Sequence, residues 1–367
     1  MKKALLAAIC IAALAFALSA CGANVTLDTE ALTGTYSRDF EGTSINVFNW
    51  GEYISDGSEG TLDVNAAFEE LTGVHVNYAN FESNEAMYAK LKSGAVSYDV
   101  IIPSDYMIQR LIGEGLLRQL DYSYIDNAAL TDPRYLNMYF DPQSIYSVPY
   151  MVGTVGLIYN TTVVREAPDS WTVMWDECYT NDILTFNNSR DAFSIAQLVL
   201  GQSVNSTDKA DWDAAADLLK EQNKVLQGRV MDEVFNKMEA GNAAICAYYA
   251  GDYLIMKEEN EDLAFVYPKE GTTAYIDSAC VPANCQNYEA ALMYINFLLE
   301  PQVALANAET VVYTSPNLAV QENDDYSYKG DPILYGDLPP VQWFTDLPAD
   351  VRSYYESLWE DILLYSE

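Results

Sequence analysis

Ile45-Asn46-Val47-Phe48-Asn49-Trp50-Gly51-Glu52-Tyr53 opens as an apolar alternation and closes with a carboxylate held between two aromatic rings. The alternation reads as a strand, and the cluster stands where that strand ends. Ring faces and carboxylates both carry negative potential, so the cluster suits a small cation. A Trp and a Tyr beside a strand serve equally well as packing, and only the rest of the chain decides between the two.

Downstream, Leu62 to Leu71 carries apolar residues at helical spacing, and Gly73 is placed to end that helix. Val74 to Tyr78 reads as a strand, a helix around Met87 and Leu91 ends near Gly94, and a buried strand runs from Tyr98 to Pro103. Strands alternating with helices predict a mainly parallel sheet, whose ligands collect at the carboxyl ends of the strands. Ser104 follows one such end and reads as a helix N-cap, with Tyr106 in the first turn.

The middle of the chain repeats the pattern. Val155 to Tyr159 is a predicted strand, Trp171 to Trp175 opens a helical region, and Ile183 to Phe186 is a short strand. Asn187 to Asp191 leads from it into a helix through Leu200, followed by amphipathic helices at Asp211 to Gln222 and Val230 to Ala240. Strands follow at Ala243 to Tyr249 and Ala264 to Pro268, and Glu270 to Ile276 leads to Asp277. Helices at 288–299 and Val303 to Thr310 precede a loop at Tyr313 to Asn317, and an acidic, turn-rich stretch leads to a final helix at Val351 to Leu364.

With 367 residues, half of them hydrophobic, the chain suits two lobes with substantial cores. Its net charge of −35 repels nucleic acid and anionic lipid and attracts cations, although acidity also serves solubility. Lys2 and Lys3, the apolar run Ala4 to Ala17, and small Ser19 and Ala20 form an export signal over residues 1–20. Leu18 to Gly22 resembles the lipobox of bacterial lipoproteins, which implies lipidation of Cys21; an uncleaved span is the alternative. Residues 21–43 are polar and non-periodic, as in a flexible tether. Cys178, Cys246, Cys280 and Cys285 permit two disulfides in three pairings, with Cys280 and Cys285 near enough for a short loop. The only histidine, His75, falls between Val74 and Val76 and points to solvent, so no metal site or histidine triad is expected.

Several strand-end segments then resemble, in order, the polyamine-binding branch of bacterial solute-binding proteins. The resemblance rests on Phe48 to Tyr53, on Tyr78 to Leu91 with Phe81-Glu82-Ser83-Asn84-Glu85 and Met87-Tyr88-Ala89-Lys90-Leu91, and on Tyr98-Asp99-Val100 with Pro103-Ser104. It continues through Ser147 to Tyr150, Tyr267 to Gly271, Asp277-Ser278 before Val281 to Asn284, and Ile295 to Leu299.

The resemblance implies an α/β, two-lobed, type II periplasmic-binding-protein-like fold with a ligand cleft between the lobes. The lobes expected are 44–152 with 277–320, and 153–276 with 321–367. The implied function is capture of a polyamine, spermidine or putrescine, and delivery to the membrane permease of an ABC importer by a monomer without cofactor. Carried over by motif, Trp50, Tyr53, Tyr106, Tyr248, Tyr275 and Tyr313 form the ring cage, and Glu52, Asp191 and Asp277 the acids. Ser104 adds a hydroxyl, Gln342 is a further match, and Asn188 stands where several members carry a carboxylate. Tyr248 and Tyr275 replace tryptophans of several members, and Gly51 a hydroxyl residue. The chemistry agrees, since methylenes between ammonium groups need apolar walls along the chain and acceptors at each charge. A receptor for another amine or small solute, a hydrolase using Glu52 and Asp277 as paired carboxylates, and a surface adhesin are the rival readings.

Overall fold

The computed structural model describes residues 25–365, so the export signal and Cys21 lie outside the described residues. Its regular elements in the first half are β1 (Ser44–Trp50), α1 (Val64–Thr72), β2 (His75–Phe81), α2 (Asn84–Ser93), β3 (Val100–Ile101), α3 (Asp105–Gly113), β4 (Leu117–Arg118) and β5 (Ser147–Asn160). There follow β6 (Ile183–Phe186), α4 (Ser189–Val199), α5 (Lys209–Gln222), β7 (Leu226–Val230), α6 (Glu233–Glu239), β8 (Ile245–Tyr249), α7 (Ala250–Glu259) and β9 (Leu263–Val266). The chain closes with β10 (Thr272–Pro282), α8 (Tyr288–Leu298), α9 (Pro301–Val311), α10 (Leu318–Gln321), α11 (Pro332–Tyr335), β11 (Val341–Trp343) and α12 (Ala349–Leu364).

The strands join in the order β2-β1-β3-β10-β5-β8-β6-β7, with β4 and β11 on β10 and β9 on β5. Two strands make this one continuous path. β5 has 14 residues, all buried, and spans about 46 Å at the rise of a strand, too long for a single lobe. Its first half, Ser147 to Thr154, pairs with β10; its second half, Val155 to Asn160, pairs with β8 and β9. One core gathers Ile45, Val47, Phe68, Val281, Ile295 and Phe297 on the β1 side of this crossing. Another gathers Leu157, Ile158, Trp171, Phe186, Ile245 and Met256 on the far side. The protein is thus two lobes sharing a pair of antiparallel crossing strands.

Differences from the sequence expectation have local causes. The strand expected at Tyr98 to Pro103 narrows to Val100–Ile101, because Asp99 is occupied in tying segments together. Its carboxylate accepts the N–H groups of Asn46, Gln286 and Asn287 at 2.9, 3.0 and 2.9 Å. Val230 closes β7, paired in parallel with β6, and the helix expected from there begins only at Glu233. Trp171–Trp175 is a 3-10 turn capped by Ser170. α7 was not expected, since Gly251 in its first turn weakens the helical signal. Tyr326 and Tyr335 pack against Ala304, Ala308 and Val320, so the segment after residue 321 stays with the first lobe before crossing.

The short disulfide loop is absent: the four cysteines among the described residues are free. Cys280 belongs to the cluster around Phe48 and Met107, whereas Cys285 faces the core around Phe68 and donates to Asp99 at 3.2 Å, so the two thiols point to different cores. Residues 25–43 carry no helix or strand, yet Leu27, Tyr36 and Phe40 pack on the first core instead of hanging free.

Asp99→Ala strips an acceptor from three backbone donors at the root of β1 and α8. At about 1 kcal/mol or more per stranded donor, stability should fall by about 3 kcal/mol, read as a lower urea midpoint at unchanged slope. An unchanged midpoint would contradict this role.

Candidate functional site

β10 slips in its pairing with β5 between Asp277 and Ser278: Asp277 opposes Met151, and Ser278 opposes Pro149. Tyr150 is left over as the bulged residue, and its hydroxyl donates to the Tyr53 carbonyl at 2.8 Å. Bulges re-aim neighbouring side chains, and this one sets the Asp277 carboxylate between two hydroxyls. Tyr53 donates to Oδ2 at 2.6 Å and Ser104 to Oδ1 at 2.6 Å. Ser104 is the N-cap of α3 by position, as the sequence predicts, but its hydroxyl makes no capping bond and serves Asp277 instead. Asn84 steadies it by donating to the Ser104 hydroxyl at 3.0 Å.

A second acid comes from the other side of the crossing. Asp191 lies in the first turn of α4, where Asn188 caps the helix by accepting the Asp191 N–H at 2.9 Å. The same Asn188 amide donates to Asp191 Oδ2 at 2.7 Å, and the Tyr249 hydroxyl donates to that oxygen at 2.8 Å. Asn188 therefore acts as the holder of Asp191.

Tyrosine rings fill the space between. Tyr275 lies 5.5 Å from Tyr249 and 6.2 Å from Tyr313, and Tyr313 lies 5.6 Å from Tyr53, each pair edge to face. Such contact depends on bare backbone beneath the rings. A Cβ on Gly153 would sit 2.2 Å from the Tyr275 ring, and one on Gly251 would sit 2.1 Å from Tyr313. Val312, at φ 57°, ends α9 in a left-handed conformation that a β-branched residue rarely adopts, and so turns Tyr313 toward Gly251.

The structure thus brings together Tyr53, Ser104, Asn188, Asp191, Tyr275, Asp277 and Tyr313. It does not bring Tyr248. That side chain is 1% exposed and stacks on Phe186 at 5.2 Å in the second core; Tyr249, on the opposite face of β8, takes the cleft position. Trp50 packs on Phe81 at 4.5 Å, with its indole N–H buried and unpartnered. Glu52 is exposed at φ 49°, outside the tyrosine cluster. Tyr106 donates to Glu85 at 3.0 Å and lies edge-on to Phe344. Gln342 is turned away: it accepts from the Val204 N–H at 3.1 Å and donates to the Gln202 carbonyl at 3.4 Å. A cavity of about 540 Å³ beside Tyr122, Asp126 and Pro149 shares none of these residues.

Besides Tyr249, sequence reasoning missed Asp252 and Asp105. The signal for the first was a carboxylate three residues after Tyr249, one turn into α7 and so on the same side of the chain. The Asp277 carboxyl is pushed up to about 6 by burial, which outweighs the Ser104 and Tyr53 hydrogen bonds, with Asp191 adding repulsion. Burial also raises Asp191, against the hydrogen bonds of Asn188 and Tyr249 and the field of Arg190. Asp252 rises to about 7 through burial and the nearby Asp232, against a bond from Tyr313. Burial pushes the Asp105 carboxyl up to about 8.

Among the described residues no ion pair reaches Asp191, Asp252 or Asp277, and no group of His, Cys, Asp and Glu could hold a metal ion. Arg190, the basic residue next in sequence to Asp191, bonds Asn205 at 3.1 Å and faces the Phe344 ring at 4.5 Å. The site is an acidic, aromatic joint.

Two lobes, crossing strands and acids at the joint define a receptor that holds a small solute between its lobes. The sequence model of the bacterial extracellular solute-binding proteins matches residues 64–334, and the chain belongs to this family. Within it, the spermidine/putrescine-binding periplasmic protein of Salmonella typhimurium is 34% identical over 322 residues, 86% of this chain and 90% of that protein. Its Escherichia coli counterpart is 33% identical over 329 residues, 88% and 92% of the two chains. A solved ABC transporter structure from Listeria monocytogenes matches with a TM-score of 0.83 at 34% identity, covering 88% of this chain and 100% of that one. The spermidine/putrescine substrate-binding protein of Streptococcus pneumoniae gives 0.74 at 35% identity, over 88% and 99%.

An acid whose folded pKa lies above its unfolded value near 3.8 binds more protons when folded. The stability it contributes is therefore complete below about pH 4 and lost as pH rises to about 6 or 7. Asp277→Asn should accordingly raise the ligand-free Tm at pH 8 while changing it little at pH 4.5. A lower Tm at pH 8 would mean that the Asp277 charge is already compensated.

Proposed function

We propose that the protein captures a polyamine at this joint and delivers it to the permease of an ABC importer. The observation that carries the reading is the pair of buried acids, Asp277 and Asp191, held by tyrosine, serine and amide donors and by no ion pair among the described residues, with the half-buried Asp252 as a third acid. An ammonium supplies the missing charge and has hydrogens for the remaining lone pairs. Methylenes between ammoniums lie along Tyr53, Tyr249, Tyr275 and Tyr313, whose faces contribute about 0.5–2 kcal/mol per cation contact. Trp50, Glu52 and Tyr106 belong at the rim of this site, and Asn188 positions Asp191.

The ligand binds by hinge closure of lobes running over 44–152 with 277–320 and 153–276 with 321–367, the stretch 321–335 bridging them. No chemistry is required of the acids. Glu52 and Asp277, the pair a hydrolase would use, stand in unlike settings, one exposed and one 3% exposed. The relatives are periplasmic proteins, and among the described residues no helix is long and apolar enough to cross a membrane. Export by the signal at 1–20 and a lipid on Cys21 hold the chain, a monomer, at the outer face of the membrane.

Titration calorimetry with putrescine, spermidine, spermine and a neutral amide tests the proposal. At least one polyamine should bind and the amide should not; no heat with any polyamine rejects the reading. Affinity should rise from pH 5 to pH 8 with release of protons, because binding needs the carboxylates ionised. Asp277→Asn should weaken binding by about 2–5 kcal/mol as a buried ammonium loses its partner. Tyr249→Ala should cost more affinity than Tyr248→Phe, and the reverse order would return Tyr248 to the site.

A further inference from the structure

Residues 25–43 lie outside the crossing strands, and besides packing Leu27, Tyr36 and Phe40 on the first core they are fastened along their length. The Val25 N–H donates to the Gly60 carbonyl at 3.0 Å. Asp28 and Gln302 exchange two hydrogen bonds, of 2.9 and 3.0 Å. Arg38 donates to the Glu70 and Leu71 carbonyls at 3.1 and 3.4 Å, and Gly42 to the Gly73 carbonyl at 2.9 Å.

The centre of this fastening is Glu300, fully buried ahead of α9. Oε1 accepts the Thr33 N–H at 2.6 Å and the Thr33 hydroxyl at 2.9 Å. Oε2 accepts the Gly34 N–H at 3.0 Å, the Tyr36 hydroxyl at 2.7 Å and the Asn127 amide at 2.9 Å. Burial works against the Glu300 charge, but these donors outweigh it and hold the carboxyl below its ordinary range. Gly34 fits where a Cβ would stand 2.5 Å from Asn296 Nδ2. Every partner named belongs to the lobe built on β1, α1, α8 and α9.

We propose that residues 25–43 form a mooring strap that holds the first lobe, and that lobe alone, at a lipid surface while the second lobe swings. The inference rests on the lipid-anchor reading of Cys21. Between Cys21 and Val25 the chain reaches at most about 14 Å, so the strap exit stays near the bilayer. A surface carrying a net charge of −35 does not adhere to anionic lipid, so orientation must come from the strap. A rigid hold on one lobe presents the cleft to a permease in the same membrane in a narrow range of poses, which raises its effective concentration there.

The test uses the lipidated full chain on phosphatidylcholine vesicles carrying an acceptor dye, with a donor dye on Cys178, the exposed thiol of the second lobe. In the wild type, the Thr33 and Gly34 amides should exchange with deuterium about 100-fold or more slower than in a free peptide, and energy transfer should give one narrow distance distribution. Gly34→Val should release the amides and broaden the distribution about twofold or more, while spermidine affinity in solution stays unchanged; Glu300→Gln, which leaves the strap sequence intact, should act in the same direction. Wild-type exchange near the peptide rate, or a distribution that Gly34→Val leaves unaltered, overturns the proposal. Failure to float with the vesicles while the amides stay protected overturns the lipid mooring through its anchor. The spermidine titration on the same sample tests the polyamine reading separately.

Discussion

A carboxylate buried at the joint of two lobes and met only by neutral donors is the constraint on which this molecule turns. Asp277 is 3% exposed and meets two neutral hydroxyls. Hydroxyl donors steady an anion, but they do not cancel its charge in a low-dielectric setting. Asp191, held by an amide and a phenol, raises the cost for Asp277 through its own field. On the polyamine reading, a cation between these groups favours both their ionisation and closure of the lobes, which couples ligand to closed state.

Several backbone irregularities serve this joint. The slip at Asp277 and Ser278, the left-handed Val312 and the bare faces of Gly153 and Gly251 each bear on one cleft side chain. Tyr275 and Asp277 share one face of β10 by regular alternation, and the left-handed turn at Val312 brings Tyr313 to them. The flanking parts of β5 and β10 keep regular pairing and are buried across the crossing.

The same contrast accounts for what the sequence made legible. Two lobes follow from length, Asp277 and Asp191 are reached through the family resemblance of their segments, and most strands and helices follow from hydrophobic period. The choice between Tyr248 and Tyr249 does not, since β8 is buried on both faces and shows no alternation to phase it. Ser104 obeys the grammar of an N-cap, which fixes its backbone and leaves the direction of its hydroxyl open. The stretch 25–43 reads as free polar chain because the acid that fastens it, Glu300, comes 266 residues after Gly34. Local composition carries no trace of such a partner.

The chain has 54 acidic residues, and three that tie segments together differ in their donors from Asp277 and Asp191. Asp99 accepts three backbone N–H groups, Asp141 accepts those of Ile145, Tyr146 and Ser147, and Glu300 those of Thr33 and Gly34. Peptide donors are fixed in direction and stay where the fold puts them, so these acids are spent on joining segments. Asp277 and Asp191 accept only from side chains, whose hydroxyls and amide rotate and can re-aim as another donor arrives. Donors fixed by the backbone cannot re-aim when a ligand arrives and rotatable ones can, and on the polyamine reading that difference singles out Asp277 and Asp191 as the acids to which a cation comes.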